Sequence, residues 1–272
     1  MKEIGEIVKM PVVYRLPGMD AVRVTSDIKY AADGPHLLMD FYLPAGLKKG
    51  ERRPAVIFVH GNVPPGSPAK NMGVFRSWGR LTAASGMIGV SFTHRLGYPE
   101  PHLEKAADDL KTAIDFVRNN GGSFAVDTDR IALFAFSGGG PLLSPAIRER
   151  PPFICCLAAF YAFLDIRESD LYAGRETPDL IEEFSPINHL TRESPPIFIA
   201  RAGRDETPGI NPSIDRFIGR AISVNAPISL SNPPNGVHMF DSQNDDPRSR
   251  EMIGNTLSFF RFHLEMARAI GF

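Results

Sequence analysis

Five short apolar runs recur along the chain: AVIFVHG (55–61), MIGVSFTHRL (87–96), IALFAFS (131–137), FICCLAAFY (153–161) and PIFIARAG (196–203). None alternates cleanly between apolar and polar residues. Their β-branched and aromatic content fits strands covered on both faces. Segments of helix length lie between them. The clearest is LEKAADDLKTAIDFVRNN, with Leu103, Ala106, Leu110, Ala113, Ile114 and Val117 at the i, i+3, i+4, i+7 spacing of one helical face. A closing helix is expected over roughly 247–269. Strands alternating with helices predict an α/β fold, a mostly parallel central sheet flanked by helices. Two runs that do alternate, AVRVTSDIKYA (21–31) and LLMDFYLP (37–44), are joined by the turn signal ADGP and predict antiparallel N-terminal strands. No repeat, low-complexity tract or linker divides the chain, so residues 1–272 are read as one domain.

The net charge of -1 leaves no electrostatic footprint for nucleic acid or an anionic membrane. The start, MKEIGEIVKMPVVYR, lacks the apolar stretch of a signal peptide, and PFICCLAAFYAFL is too short for a transmembrane helix. Cys155 and Cys156 are adjacent; on a strand they point to opposite faces, which suits core thiols rather than a disulfide or metal site. A cytoplasmic protein is expected. The histidines are scattered without H-x-x-x-H spacing, so no metal is expected. Neither G-x-x-x-x-G-K-[ST] nor the dinucleotide spacing G-x-G-x-x-G is present.

Ligands of an open parallel sheet sit beyond the carboxyl ends of its strands. The run 131–137 ends in Ser137, with three glycines directly after it; 196–203 is followed by Arg204, Asp205 and Glu206; PISLSNPPNG leads to V-H-M-F with His238. Ser, Asp, His is the chain order of a catalytic triad on such a sheet. A serine hydroxyl is a poor nucleophile until a base removes its proton, which assigns His238 as base and Asp205 as the carboxylate that orients it. Glu206 and Asp241 are rival acids, and the position directly beyond the strand favours Asp205. Gly138 and Gly139 suit a cramped corner where a Cβ would crowd the turn.

These motifs resemble the α/β-hydrolases, and within them the hormone-sensitive-lipase and dienelactone-hydrolase-like esterases. The resemblance runs from about 37 to 265 through VHGN (59–62), THRLGYPEP (93–101), DTDRIALFAFSGGG, SPINHLTRESPPIFIARAGRD (185–205) and GVHMF (236–240). It implies acyl-transfer chemistry with Ser137, Asp205 and His238 as the triad and no cofactor. Two departures are visible. Ala135 stands where G-x-S-x-G has its first glycine, and the family's His-Gly-Gly loop reads His60-Gly61-Asn62-Val63. Oxyanion donors are backbone N–H groups, so loop shape matters more than side chains. The expected oxyanion hole comprises Asn62, Gly138, Gly61 and Val63, with the Gly138 N–H as one donor, the Asn62 N–H the second and Val63 an alternative. His60 is expected to shape this loop and His94 to anchor its neighbours, whereas His36, His102, His189 and His263 read as surface or capping residues.

The stretch between FICCLAAFY and PIFIARAG, around 162–194, sits where this fold places a small cap. It is dense in charge (Arg167, Glu168, Asp170, Arg175, Glu176, Glu182, Glu183), unlike a lid that opens on lipid. The reading that follows is a serine hydrolase of small soluble carboxylic esters. A prolyl-oligopeptidase-type peptidase and a non-catalytic binding protein of the same fold are the alternatives. The oligomeric state stays open, a homo-oligomer included.

Overall fold

The structure, a computed structural model, describes residues 6, 8–32, 34, 36–64 and 66–270. Eight strands form one sheet in the order β1-β2-β4-β3-β5-β6-β7-β8. They are β1 Arg23–Lys29, β2 Leu38–Leu43, β3 Arg53–Val59, β4 Ile88–Phe92, β5 Val126–Phe136, β6 Ile154–Phe160, β7 Ile197–Ala200 and β8 Ile228–Ser231. β1 runs antiparallel to β2 and β2 antiparallel to β4, while every other pair is parallel. The ADGP turn between the first two strands lies partly outside the described residues.

Both faces of the central strands are buried, which is why those runs lack alternation. Ala55, Ile57, Val59, Leu133, Ala135, Leu157 and Ala159 enter one core. Their neighbours Val56, Phe58, Ala132, Phe134, Phe136, Ala158 and Phe160 enter the other. Helices α2 (Leu103–Asn120) and α5 (Ile210–Ser223) cover the first face with Leu103, Ala106, Leu110, Ala113 and Val117, and with Ile210, Ile214 and Phe217. Helices α1 (Gly73–Ala84) and α7 (Pro247–Ile270) cover the second with Val74, Phe75, Trp78 and Leu81, and with Met252, Ile253, Leu257 and Phe260. Three further α-helices among the described residues are short: α3 Ser144–Glu149, α4 Pro178–Glu183 and α6 Phe240–Gln243. The adjacent cysteines divide as strand geometry requires. Cys156 is buried on the second face, Cys155 is partly exposed, and both are free thiols.

The apolar run 87–96 is longer than its strand, because β4 stops at Phe92. The Thr93 N–H still donates to Leu38 O at 3.0 Å, but the next three backbone N–H groups turn to side chains. His94 N–H donates to His60 Nε2 (3.1 Å), Arg95 N–H to Asp109 Oδ2 (2.9 Å) and Leu96 N–H to His94 Nδ1 (3.4 Å). β5 begins earlier than the apolar pattern, at Val126, and Ser137 lies just outside it. Among the described residues, no helix is long and apolar enough to cross a membrane.

The stretch 162–194 is docked rather than solvated throughout. Tyr172, Phe184, Ile187 and Leu190 enter the first core. Glu176 Oε1 accepts the Leu103 N–H at 2.9 Å, capping the free N-terminus of α2. Arg148 on α3 pairs with Glu183 on α4 at 2.8 Å. Buried Asp165 gathers Arg167 and Arg216 at 2.9 and 2.6 Å, tying the stretch to α5.

Candidate active site

Ser137 follows directly on β5 and has a φ of 52°. A left-handed backbone costs a residue with a Cβ roughly 1–2 kcal/mol, and such strain persists where the surroundings impose it. The glycines beside it are what allow the corner. A Cβ on Gly139 would lie 2.5 Å from His60 O and 2.6 Å from Val59 O. On Gly138 it would strike Asn62 Oδ1, and on Gly140 the Phe163 carbonyl. The strand-to-turn corner is therefore pressed against the end of β3 on one side and the segment after β6 on the other. The Phe163 N–H donates to Ser137 O at 3.1 Å, closing the second side.

The segment after β3 completes this pocket. A Cβ on Gly61 would sit 3.0 Å from Ser137 Cβ and 3.1 Å from Gly138 N, so Gly61 permits the close approach. Asn62 is pinned by its side chain, whose Nδ2 donates to Gly97 O at 2.7 Å. Among the described residues no acceptor is bonded to the backbone N–H of Asn62 or of Gly138. Val63 differs: its N–H donates to Leu96 O at 3.3 Å. Beneath the loop the His60 and His94 rings stack, centroids 3.5 Å apart. His60 Nε2 accepts from the His94 N–H, so Nδ1 carries the proton and donates to Gly61 O at 2.6 Å. That bond orients the Gly61–Asn62 peptide and hence the Asn62 N–H. Burial pushes His60 down to about 4 and lowers His94 as well, so both rings are neutral at ordinary pH.

Asp205 and His238 come from the loops after β7 and β8. His238 Nδ1 donates to Asp205 Oδ2 at 2.7 Å; the Asp205 side chain is 0% exposed and that of His238 27%. Burial alone would raise the carboxyl, but the bonds from His238 and from the Thr207 N–H (2.9 Å) outweigh it and hold Asp205 below its ordinary value. The two loops lock together through Arg204 N–H to Gly236 O and Gly203 N–H to Pro233 O, at 2.8 and 2.9 Å. Of the rival acids, Glu206 is exposed, and Asp241 is turned towards Trp78 and Tyr161. Tyr161, at the end of β6, joins the two halves of the site. Its ring lies 4.8 Å from that of His238 and 6.2 Å from that of Phe136, which precedes Ser137. The Ser137 hydroxyl makes no hydrogen bond among the described residues. Among those residues no group of three His, Cys, Asp or Glu side chains could hold a metal ion.

Sequence reasoning missed Tyr161, which appeared only as the end of the run 153–161, and Trp78, which it did not single out. Tyr161 carried one usable signal: like Ser137 and Asp205, it lies at the carboxyl end of a parallel strand.

An eight-stranded, mostly parallel sheet with antiparallel first strands, and a strained serine on the corner after its fifth strand, define a class. The chain has the α/β-hydrolase fold. Residues 39–146 match the family model BD-FAE. Esterase LipQ of Mycobacterium tuberculosis is 26% identical over 257 residues, an alignment covering 80% of this chain. The chain spans little more than half of that relative, 57% of its length. Among solved structures, Esterase B of Lactobacillus rhamnosis superposes with a TM-score of 0.76 at 18% identity, covering 93% of this chain and 89% of that one. A truncated carbohydrate esterase from gut microbiota gives 0.74 at 19%, covering 94% and 100%. Butyrate-bound Est2 of Thermogutta terrifontis gives 0.70 at 22%, covering 90% and 95%.

Proposed function

We propose that this protein is a serine hydrolase that cleaves small soluble carboxylic esters through an acyl-enzyme. Ser137 Oγ attacks the ester carbonyl while His238 Nε2 takes its proton, and Asp205 holds the ring through Nδ1–H. The tetrahedral oxyanion is received by the N–H groups of Asn62 and Gly138, the second at the start of a 3-10 turn where donors are unpaired. The Val63 N–H is taken by Leu96, which leaves Asn62 as the second donor. Collapse expels the alcohol with the proton from His238. Water then repeats the sequence on the acyl group and returns free Ser137.

The observation that carries this reading is the His238–Asp205 pair at 2.7 Å, linked through the Tyr161 ring to Phe136 and so to the left-handed serine that follows it. The relatives point the same way. Structures of Esterase B hold a tributyrin phosphonate inhibitor, and those of Est2 hold propionate and butyrate. The charged, docked stretch 162–194 acts as a small cap on one domain, in a cytoplasmic setting. The test is a fluorophosphonate with mass-spectrometric mapping. Label on Ser137 with loss of p-nitrophenyl acetate hydrolysis is expected, and Ser137→Ala should lose at least about 10³-fold in turnover while folded. Label only on another serine overturns the assignment. Cleavage of short peptides in preference to esters would make it a peptidase.

A further inference from the structure

Asp241 lies on α6, three residues beyond His238, and has no part in the reaction above. It is fully buried. Its Oδ2 accepts from Trp78 Nε1 and its Oδ1 from Tyr161 Oη, both at 2.8 Å. Two donors facing two oxygens suit a carboxylate. The same Tyr161 lies against the His238 imidazole, 4.8 Å between ring centroids at 58°. Tyr161 and Met239 both have left-handed backbones, φ 38° and 58°, which bulky residues adopt only where the surroundings impose them. The loop is closed behind the imidazole by Gln243, whose Nε2 donates to His238 O at 2.8 Å. The imidazole thus sits between Asp205 on one side and a tyrosine bonded to a second carboxylate on the other.

We propose that Asp241 is a positioning residue for His238: held by Trp78 and Tyr161, it fixes the loop that carries the imidazole and sets a second negative charge behind it. This rests on the serine-hydrolase reading. Removing a proton from Ser137 makes His238 an imidazolium, and a buried anion nearby favours that charge while a neutral side chain does not. The titratable groups around the imidazole are Asp205 from the loop after β7, Tyr161 from the end of β6 and, behind it, Asp241 from α6; α1 supplies uncharged Trp78. Burial raises Asp241 above its ordinary value, against the pull of its two donors and of His238.

The experiment measures kcat, KM and the rate of fluorophosphonate labelling of Ser137 from pH 5 to 9 in the wild type, Asp241→Asn and Tyr161→Phe. In Asp241→Asn, kcat should fall about tenfold with KM unchanged, and the acid limb of both rates should move down by about half a pH unit or more. A purely structural role lowers the rates and leaves the limb in place, which overturns the proposal. If Asp241→Asn does not fold, Tyr161→Phe decides. There the carboxyl loses one donor and takes its proton at higher pH. The acid side of both rates should then show an additional, partial step that the wild type lacks. A single unmoved limb overturns the proposal. A wild type not labelled on Ser137 overturns the hydrolase reading and this one with it, whereas label with an unmoved limb removes only this one.

Discussion

The stacked histidines beneath Gly61 and Asn62 make stability depend on pH in a range where few other groups titrate. His60 is fully buried and lowered to about 4, against an ordinary 6.5. The unfolded chain takes up a proton near 6.5 while the folded one refuses it until about 4. The sign follows directly: stability is full above the unfolded value and is lost as pH falls towards the folded one. At about 1.4 kcal/mol per pH unit, that window amounts to roughly 3 kcal/mol. This is a large share of the roughly 5–15 kcal/mol by which a domain is stable. His94 is lowered as well and adds a second proton to the slope. Asp241 works the other way: its raised folded value gains stability on acidification. A paired comparison with His60→Gln cancels it. Glutamine can still donate to Gly61 O and accept from the His94 N–H, but it takes no proton. Urea unfolding followed by the single, fully buried Trp78 at pH 7.5, 6.5, 5.5 and 5.0 supplies the numbers. Wild type should lose stability more steeply than His60→Gln below 6.5, by about one proton's worth. Equal slopes, or NMR showing a protonated His60 in the folded protein at pH 6, would refute the reasoning.

Gly139→Ala should cost at least about 3 kcal/mol or abolish folding, because its Cβ meets two carbonyls of the central sheet at 2.5 and 2.6 Å; a soluble variant with unchanged urea midpoint contradicts this. Ser137→Gly should remove activity yet raise Tm by a few degrees, since glycine relieves about 1 kcal/mol at φ 52°; a lower Tm in calorimetry would show that the serine is not strained. With the charged, docked stretch 162–194 and no described helix for a membrane, kcat/KM should stop rising beyond about butyryl esters, each methylene adding ~0.8 kcal/mol only while the pocket buries it. A climb through dodecanoyl esters, or a jump at the micelle threshold, would falsify that.

Residues read singly were enough for much of the scaffold. The runs around 55–61 and 131–137 announce doubly covered strands because both of their faces are apolar, and the Leu103 to Val117 stripe announces its helix. Ser137 and its glycines were legible because a corner without side chains leaves a local mark, and Asp205 because it directly follows a strand. The helices 73–84 and 210–223 were not placed from the sequence, and β4 ends earlier than its apolar run, where His60 and Asp109 take the N–H groups of His94 and Arg95. Only the tertiary structure bonded the Val63 N–H to Leu96 and put the His60 ring beneath Gly61. It alone brought Trp78 and Tyr161 to Asp241, from α1 and the end of β6. The physical reason is range: propensity, periodicity and sterics act over a few neighbours, whereas a hydrogen bond or a buried charge is settled by whichever distant segment packing brings within about 3 Å.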